Sequence, residues 1–245
     1  MRYLHILLTF LFVGLTSYVS AEPMKFVYYE NYPPRSYKED GIMKGVLVDV
    51  MNEIVAKRMN INIEHKGYPW KRAQTLVKNG EADAFVTVPT KVRREYTIVS
   101  KEPVVTFETF VATMKNNPKA EQLRKVKSIE ELKDFTLIDY LGNGWAKSVL
   151  RNHEVIWLPD EKDIYRFLKS GKADAVIVSR KSLHTIRKLD YSKDILVFDN
   201  PLTSVKFHLC IAKSSKYTKI MNDFDIILKK VKKEGIIDSI LEVYY

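Results

Sequence analysis

Val46, Leu47, Val50, Met51, Ile54 and Val55 recur at helical spacing, which predicts a core-facing amphipathic helix running to about Met59. Around it the pattern changes to short apolar or β-branched runs at residues 25–29, 61–64 and 82–88, each of strand length. Residues 70–78 form a second helix between the last two, and Asp40-Gly41 marks a tight hairpin turn. The order β-α-β-α-β predicts a mostly parallel sheet. A breaker-free stretch at 106–113 makes a further strand, and the polar stretch 115–127 is a loop or short helix. Beyond it Ser128 and Glu131 suggest a capping box. A second series then follows: a strand at 136–139, a helix opened by Gly142-Asn143-Gly144, and a strand at 155–158. It ends in a helix capped by Asp160 and running to Ser170, and a strand at 173–178. Residues 205–212 form a long returning strand, and helices at 217–231 and 236–243 close the chain.

One heptapeptide ties the two series together. Lys78-Asn79-Gly80-Glu81-Ala82-Asp83-Ala84 returns as Lys169-Ser170-Gly171-Lys172-Ala173-Asp174-Ala175, each time between a helical pattern and an apolar strand. The glycine stands where a helix ends on a left-handed residue. Two similar α/β lobes are expected, with a cleft between them. The first is discontinuous, residues 22–110 with 206–245, and the second covers 111–205.

Residues 1–21 combine Arg2, an apolar run from Ile6 to Leu15 and the small residues Val19-Ser20-Ala21, the pattern of a cleaved secretory signal. The run is shorter than the roughly 20 apolar residues that a membrane span needs. Removing 21 residues from 245 leaves 224, enough for two lobes. The formal charge of +10 then falls by one, since Arg2 leaves. The lysines are spread over helix faces, as at Lys229, Lys230, Lys232 and Lys233, so the excess is a solvated basic surface rather than a nucleic-acid groove. Cys210 is the one cysteine, which excludes a disulfide framework, and its apolar setting reads as buried strand.

In open α/β sheets ligands bind beyond the carboxyl ends of the strands. The loops after Tyr29, Val88, Tyr140 and Val178 are therefore the first places to look. They carry Glu30, Asn31 and Tyr32; Thr90 with Arg93-Arg94; and the Gly142 to Gly144 helix start. A guanidinium fork and a helix start facing each other across a cleft would clamp a small anion. A solvated arginine pair and an ordinary tight turn are the plainer readings. Trp70 and Tyr32 are either walls for a ligand or ordinary packing. The mature histidines 65, 153, 184 and 208 show no metal-ligand spacing, and no nucleophile elbow, zincin motif or phosphate loop occurs.

The ordered set Tyr32-Pro33-Pro34, Asp40-Gly41, Gly45-Val46-Leu47-Val48-Asp49, Trp70, Gly80 with Asp83, Thr90 with Arg93, Ser100-Lys101-Glu102-Pro103, Ser128-Ile129-Glu130-Glu131-Leu132-Lys133, Gly142, Gly171 with Asp174-Ala175 and Lys232-Lys233-Glu234-Gly235 resembles the periplasmic solute-binding proteins of family 3. These serve ABC importers of polar amino acids. The resemblance implies a two-lobed flytrap with hinge strands near residues 108–112 and 205–209. It implies that Arg93 grips a ligand carboxylate, that Trp70 and Tyr32 sandwich the ligand, and that Asn143 touches the carboxylate from the second lobe. Thr87 and Thr90 remain as clamp hydroxyls. Relatives hold the ligand ammonium with an Asp where this chain has Ser179, and Asp139 or Glu30 is the candidate to compensate. The implied function is an exported, cofactor-free, monomeric receptor that delivers a small carboxylate-bearing solute to a membrane permease. The alternatives are a periplasmic dehydratase-like enzyme using Glu30 or Asp139, and a sensory module.

Overall fold

The computed structural model describes residues 22–159, 163–179, 190 and 192–244. The expected leader, the Asp160 cap and His184 lie outside them. β1 (Met24–Tyr29) is almost wholly buried, as expected of an apolar run with structure on both faces. A three-stranded meander follows: β2 (Asn31–Tyr32), β3 (Ser36–Glu39) and β4 (Ile42–Lys44). Asp40 and Gly41, both at positive φ (50° and 81°), make the β3–β4 turn. The long apolar helix divides in two. α1 (Val46–Met51) passes into a π-helical run, Asn52–Arg58, closed by Met59 N–H on the Ile54 carbonyl at 3.0 Å. The wider turn still buries Ile54 and Val55, while the largely covered Glu53 side chain pairs with Lys57 and Arg58.

β5 (Ile63–Tyr68), α2 (Trp70–Lys78) and β6 (Ala84–Thr87) complete the first βαβ series. β5 begins two residues later than the apolar run predicts. α3 (Lys91–Tyr96) and β7 (Thr97–Val99) lead to β8 (Val105–Met114). The second series comprises α4 (Ala120–Arg124), β9 (Leu137–Tyr140), α5 (Gly144–Val149), β10 (Val155–Leu158), α6 (Ile164–Lys169) and β11 (Val176–Ser179). β12 (Ile195–Val197), β13 (Thr203–Ala212), α7 (Met221–Lys233) and α8 (Ile236–Val243) end the chain. A 3-10 turn over Lys216–Ile220 stands where the expected last-but-one helix begins. The Ser128–Glu131 box is not reciprocal. The Glu131 carboxylate accepts from Lys127 N–H and the Ser128 hydroxyl, and only a 3-10 turn, Glu130–Leu132, results.

β1 pairs in parallel with β5 and β6, and β9 with β10, while Leu137 bridges Ala175 in the same sense. β8 and β13 cross between the two ends of the molecule and pair with each other antiparallel, from Phe207↔Val105 to Thr203↔Thr109. Their far halves join β11 and β12 on one side and β6 and β7 on the other. One sheet thereby runs through both lobes.

The repeat has a mechanical reason. Gly80 and Gly171 both adopt positive φ, 77° and 72°, and end their helices. Asp83 then accepts the N–H of Lys25 at 2.7 Å, and Asp174 that of Thr136 at 2.9 Å. Each aspartate ties its strand to the start of the neighbouring parallel strand. One core cluster lies under α1, α7 and α8, and another fills the second lobe around Leu123, Leu132 and Phe135. A third spans both lobes, joining Trp70, Ala73 and Phe85 to Ile138, Tyr140, Leu168 and Val176. The lobes are in contact across the cleft.

Candidate functional site

A cavity of about 90 Å³ lies where the strand ends of the two lobes meet. That is several times the ~10–15 Å³ that one water requires, room for a small molecule. Tyr32, Trp70, Thr87 and Arg93 line it from the first lobe, and Asp139, Asn143 and Ser179 from the second. Seven of the nine predicted side chains thus come together. Thr90 and Glu30 do not line it. Thr90 caps α3, its hydroxyl accepting Arg93 N–H at 3.4 Å, and so sets the arginine's direction. Glu30 packs towards β5, where a Cβ on Gly67 would come within 2.8 Å of its own.

Arg93 is 3% exposed and uses its whole donor fork on neutral acceptors. Nε and Nη2 donate to Gln74 Oε1 at 3.2 and 2.9 Å, and Nη1 to Thr87 Oγ1 at 3.1 Å and the Val88 carbonyl at 2.8 Å. Nη2 also reaches the Gly142 carbonyl of the second lobe at 3.4 Å. Its guanidinium stands 5.1 Å from the Trp70 ring centre. No carboxylate is among these partners, so the charge is held by dipoles and a ring face; burial pushes its pKa down. Arg94 turns away to the Pro89 carbonyl.

Across the cleft, Gly142 takes φ 96°, and a Cβ there would sit 3.2 Å from Trp70. A side chain would strain the turn and press on the ring. Asn143 caps α5, its Oδ1 accepting Ala146 N–H at 3.1 Å, while its Nδ2 donates to both Asp139 oxygens at 3.0 Å. Tyr140 N–H adds a 2.6 Å bond to Asp139 Oδ1. Even so, burial raises the Asp139 pKa from 3.8 to about 7, the hydrogen bonds offsetting only part of the desolvation. The carboxyl changes charge near neutrality.

Sequence reasoning missed Arg35. It sits in the turn between β2 and β3, 5% exposed, with its Nη2 donating to Ser179 Oγ at 2.6 Å. Its guanidinium packs 4.3 Å from the Tyr32 ring centre and 4.7 Å from that of Phe107. The first turn of α1 anchors the loop, Val46 and Leu47 N–H donating to the Pro34 and Arg35 carbonyls at 3.1 and 2.9 Å. The available signal was the stiff Pro33-Pro34 pair followed at once by a cation, with no periodicity to mark it. Tyr29 and Tyr140, 5.6 Å apart across the cleft, were hidden as strand residues. The described histidines are engaged elsewhere: His65 with Tyr28 and Asn52, His153 with the Ile129 carbonyl, and His208 with Ser100.

The chain is similar to known proteins over most of its length. It is 25% identical over 222 residues to the "Probable histidine-binding protein" of Neisseria gonorrhoeae, covering 87% of this chain and 79% of that protein. It is 22% identical over 219 residues to the "Probable amino-acid-binding protein YxeM" of Bacillus subtilis (strain 168), covering 86% and 80%. A solved structure of an ancestral arginine-binding protein bound to arginine matches with a TM-score of 0.73 at 19% identity, over 91% of this chain and 98% of that one. This last likeness shows the shared two-lobed fold. The model of the bacterial extracellular solute-binding proteins, family 3, matches residues 24–245, and the chain belongs to that family.

Proposed function

We propose that the protein is an exported receptor that closes its two lobes on a small polar, carboxylate-bearing solute and passes it to an ABC permease. The lobes would be residues 22–110 with 206–245 and residues 111–205, working as a monomer outside the inner membrane. The observation that carries this reading is Arg93, a buried guanidinium that faces the cavity and touches the Gly142 carbonyl of the opposite lobe. Carboxylate oxygens would replace the weaker neutral acceptors on that fork. Trp70, Tyr32 and Thr87 form the first-lobe wall, Thr90 aims Arg93, and Asn143, Asp139 and Ser179 face it from the second lobe. Contacts made by both lobes stabilise the closed form, the shape a permease would recognise. Among the described lining residues Asp139 is the one carboxyl and no imidazole stands beside it, so no paired acid and base supports a catalytic reading.

The test is thermal unfolding against amino acids, polyamines and small organic acids. A ligand at about 100 times its Kd stabilises by roughly 2.7 kcal/mol. The stabilisation is expected to vanish in Arg93→Ala. A ligand that stabilises Arg93→Ala as much as the parent protein would show that Arg93 is not the clamp.

A further inference from the structure

Gln74 stands one helical turn after Trp70 on α2, on the face that also buries Ala73 and Val77. An amide is out of place on an apolar face, and its bonds explain it. Its Oε1 accepts from Arg93 Nε and Nη2 at 3.2 and 2.9 Å, which fixes the amide's orientation, because the reverse would set its NH2 donors against the guanidinium. Its Nε2 then donates to the carbonyls of Trp70 and of Gly142 on the second lobe, each at 3.4 Å. Arg93 Nη2 reaches the same Gly142 oxygen at 3.4 Å. The second lobe seats closely here: a Cβ on Gly142 would come within 3.5 Å of Gln74 Nε2, and one on Gly144 within 3.2 Å of Arg93 Nη2.

The Arg93 fork is thereby divided. Its Nε and Nη2 edge turns to Gln74 and Gly142, neither of which is among the described lining residues of the cavity, whereas Nη1 turns to Thr87 Oγ1 and the Val88 carbonyl, whose residues line it. Gln74 achieves this with a neutral acceptor. A carboxylate in its place would pair with Arg93 and cancel the charge that draws a ligand anion, and an apolar side chain would leave buried donors unpaired.

Resting on the receptor reading above, we propose that Gln74 is a positioning residue that gives the Arg93 fork two tasks. Its oxygen turns the Nε and Nη2 edge to the second lobe, where Arg93 and Gln74 together hold the Gly142 carbonyl and so keep the lobes in contact. The Nη1 end is left for one oxygen of a ligand carboxylate, which enters by displacing Thr87 Oγ1 and accepts the Thr87 hydroxyl as a second donor. The arginine that holds the ligand thereby also holds the lobes.

Small-angle X-ray scattering of the purified protein without added solute reads the lobe contact, and calorimetry with L-arginine, L-histidine, L-glutamine and glutarate reads the ligand end. Gln74→Leu, which removes both the acceptor and the interlobe donor at nearly constant volume, is expected to enlarge the radius of gyration. Gln74→Glu sets a carboxylate against the Gly142 carbonyl and carries the same expectation, so it serves if the leucine variant fails to fold. It should also weaken the tightest-binding probe by about a hundredfold, the scale of repulsion between two like charges roughly 6 Å apart at a partly buried site. A merely structural prop would be served as well by glutamate, the stronger acceptor, so parent affinity in Gln74→Glu would overturn the proposal. Equal radii of gyration in the parent and both variants would overturn it too, and either result leaves the receptor reading standing. Binding of none of the probes by the parent protein would count against the receptor reading and, with it, the ligand end of the proposal.

Discussion

Asp139 is a carboxyl with the pKa of a histidine, and the reason lies in its neighbours. Three hydrogen bonds from Asn143 and Tyr140 stabilise the anion, yet full burial outweighs them. Folding raises its pKa from 3.8 to about 7, so the folded state holds the proton more tightly than the unfolded one. Stability from this group is fully present below about pH 4 and is lost as pH rises to about 7, by up to roughly 4 kcal/mol. His65 acts in the opposite sense. Burial lowers its pKa from 6.5 to about 4, so its contribution to stability rises across that interval. Urea midpoints measured from pH 4 to 7 should therefore change little in the parent protein and climb in Asp139→Asn. Parallel curves for the two proteins would contradict the assignment. Among the described residues, the other titratable groups lining the Asp139 cavity are Arg35, Arg93 and tyrosines.

At the scale of elements, the loop from β1 to α1 does more than its length suggests. It presents Tyr32 and Arg35 to the cavity, and its backbone is pinned by the first amides of α1. That docking requires Gly45, which has φ 118° and would bring a Cβ within 2.6 Å of the Arg35 carbonyl oxygen. Gly45→Ala should cost about 2 kcal/mol or more in stability and displace Arg35. Its expected signature is a lowered Tm together with weakened binding of the solute that stabilises the parent protein in thermal unfolding. A variant with lowered Tm and unchanged affinity would show that the loop does not position the cation. The contrast with Gly171 is informative: with φ 72° and nothing within 4 Å of an added Cβ, it serves helix termination alone.

Across the whole molecule, the parts that follow a period were legible in the sequence. The helix over Trp70–Lys78, the strands flanking it and the doubled glycine-aspartate motif all express either a buried face or a helix stop. Arg93, Trp70 and Tyr32 were also within reach, because loops beyond strand ends are where a parallel sheet exposes its chemistry. Three things escaped. The π-helical run keeps the same apolar spacing as an α-helix, so periodicity cannot separate them. β7 and β12 are three-residue strands, held by pairing with β13 and β8 rather than by their own pattern. Arg35 meets Ser179 across 144 positions of sequence, a contact that only the packing of one lobe on the other creates.

That arrangement is the central claim, and lobe closure on a ligand is its consequence. The most direct measurement is small-angle X-ray scattering from the protein titrated with the solute that stabilises it most in thermal unfolding, run beside Arg93→Ala. The radius of gyration should fall as the parent protein saturates and stay constant in the variant. Calorimetric saturation of the parent protein by that solute with no change in the radius of gyration would contradict closure across this cleft.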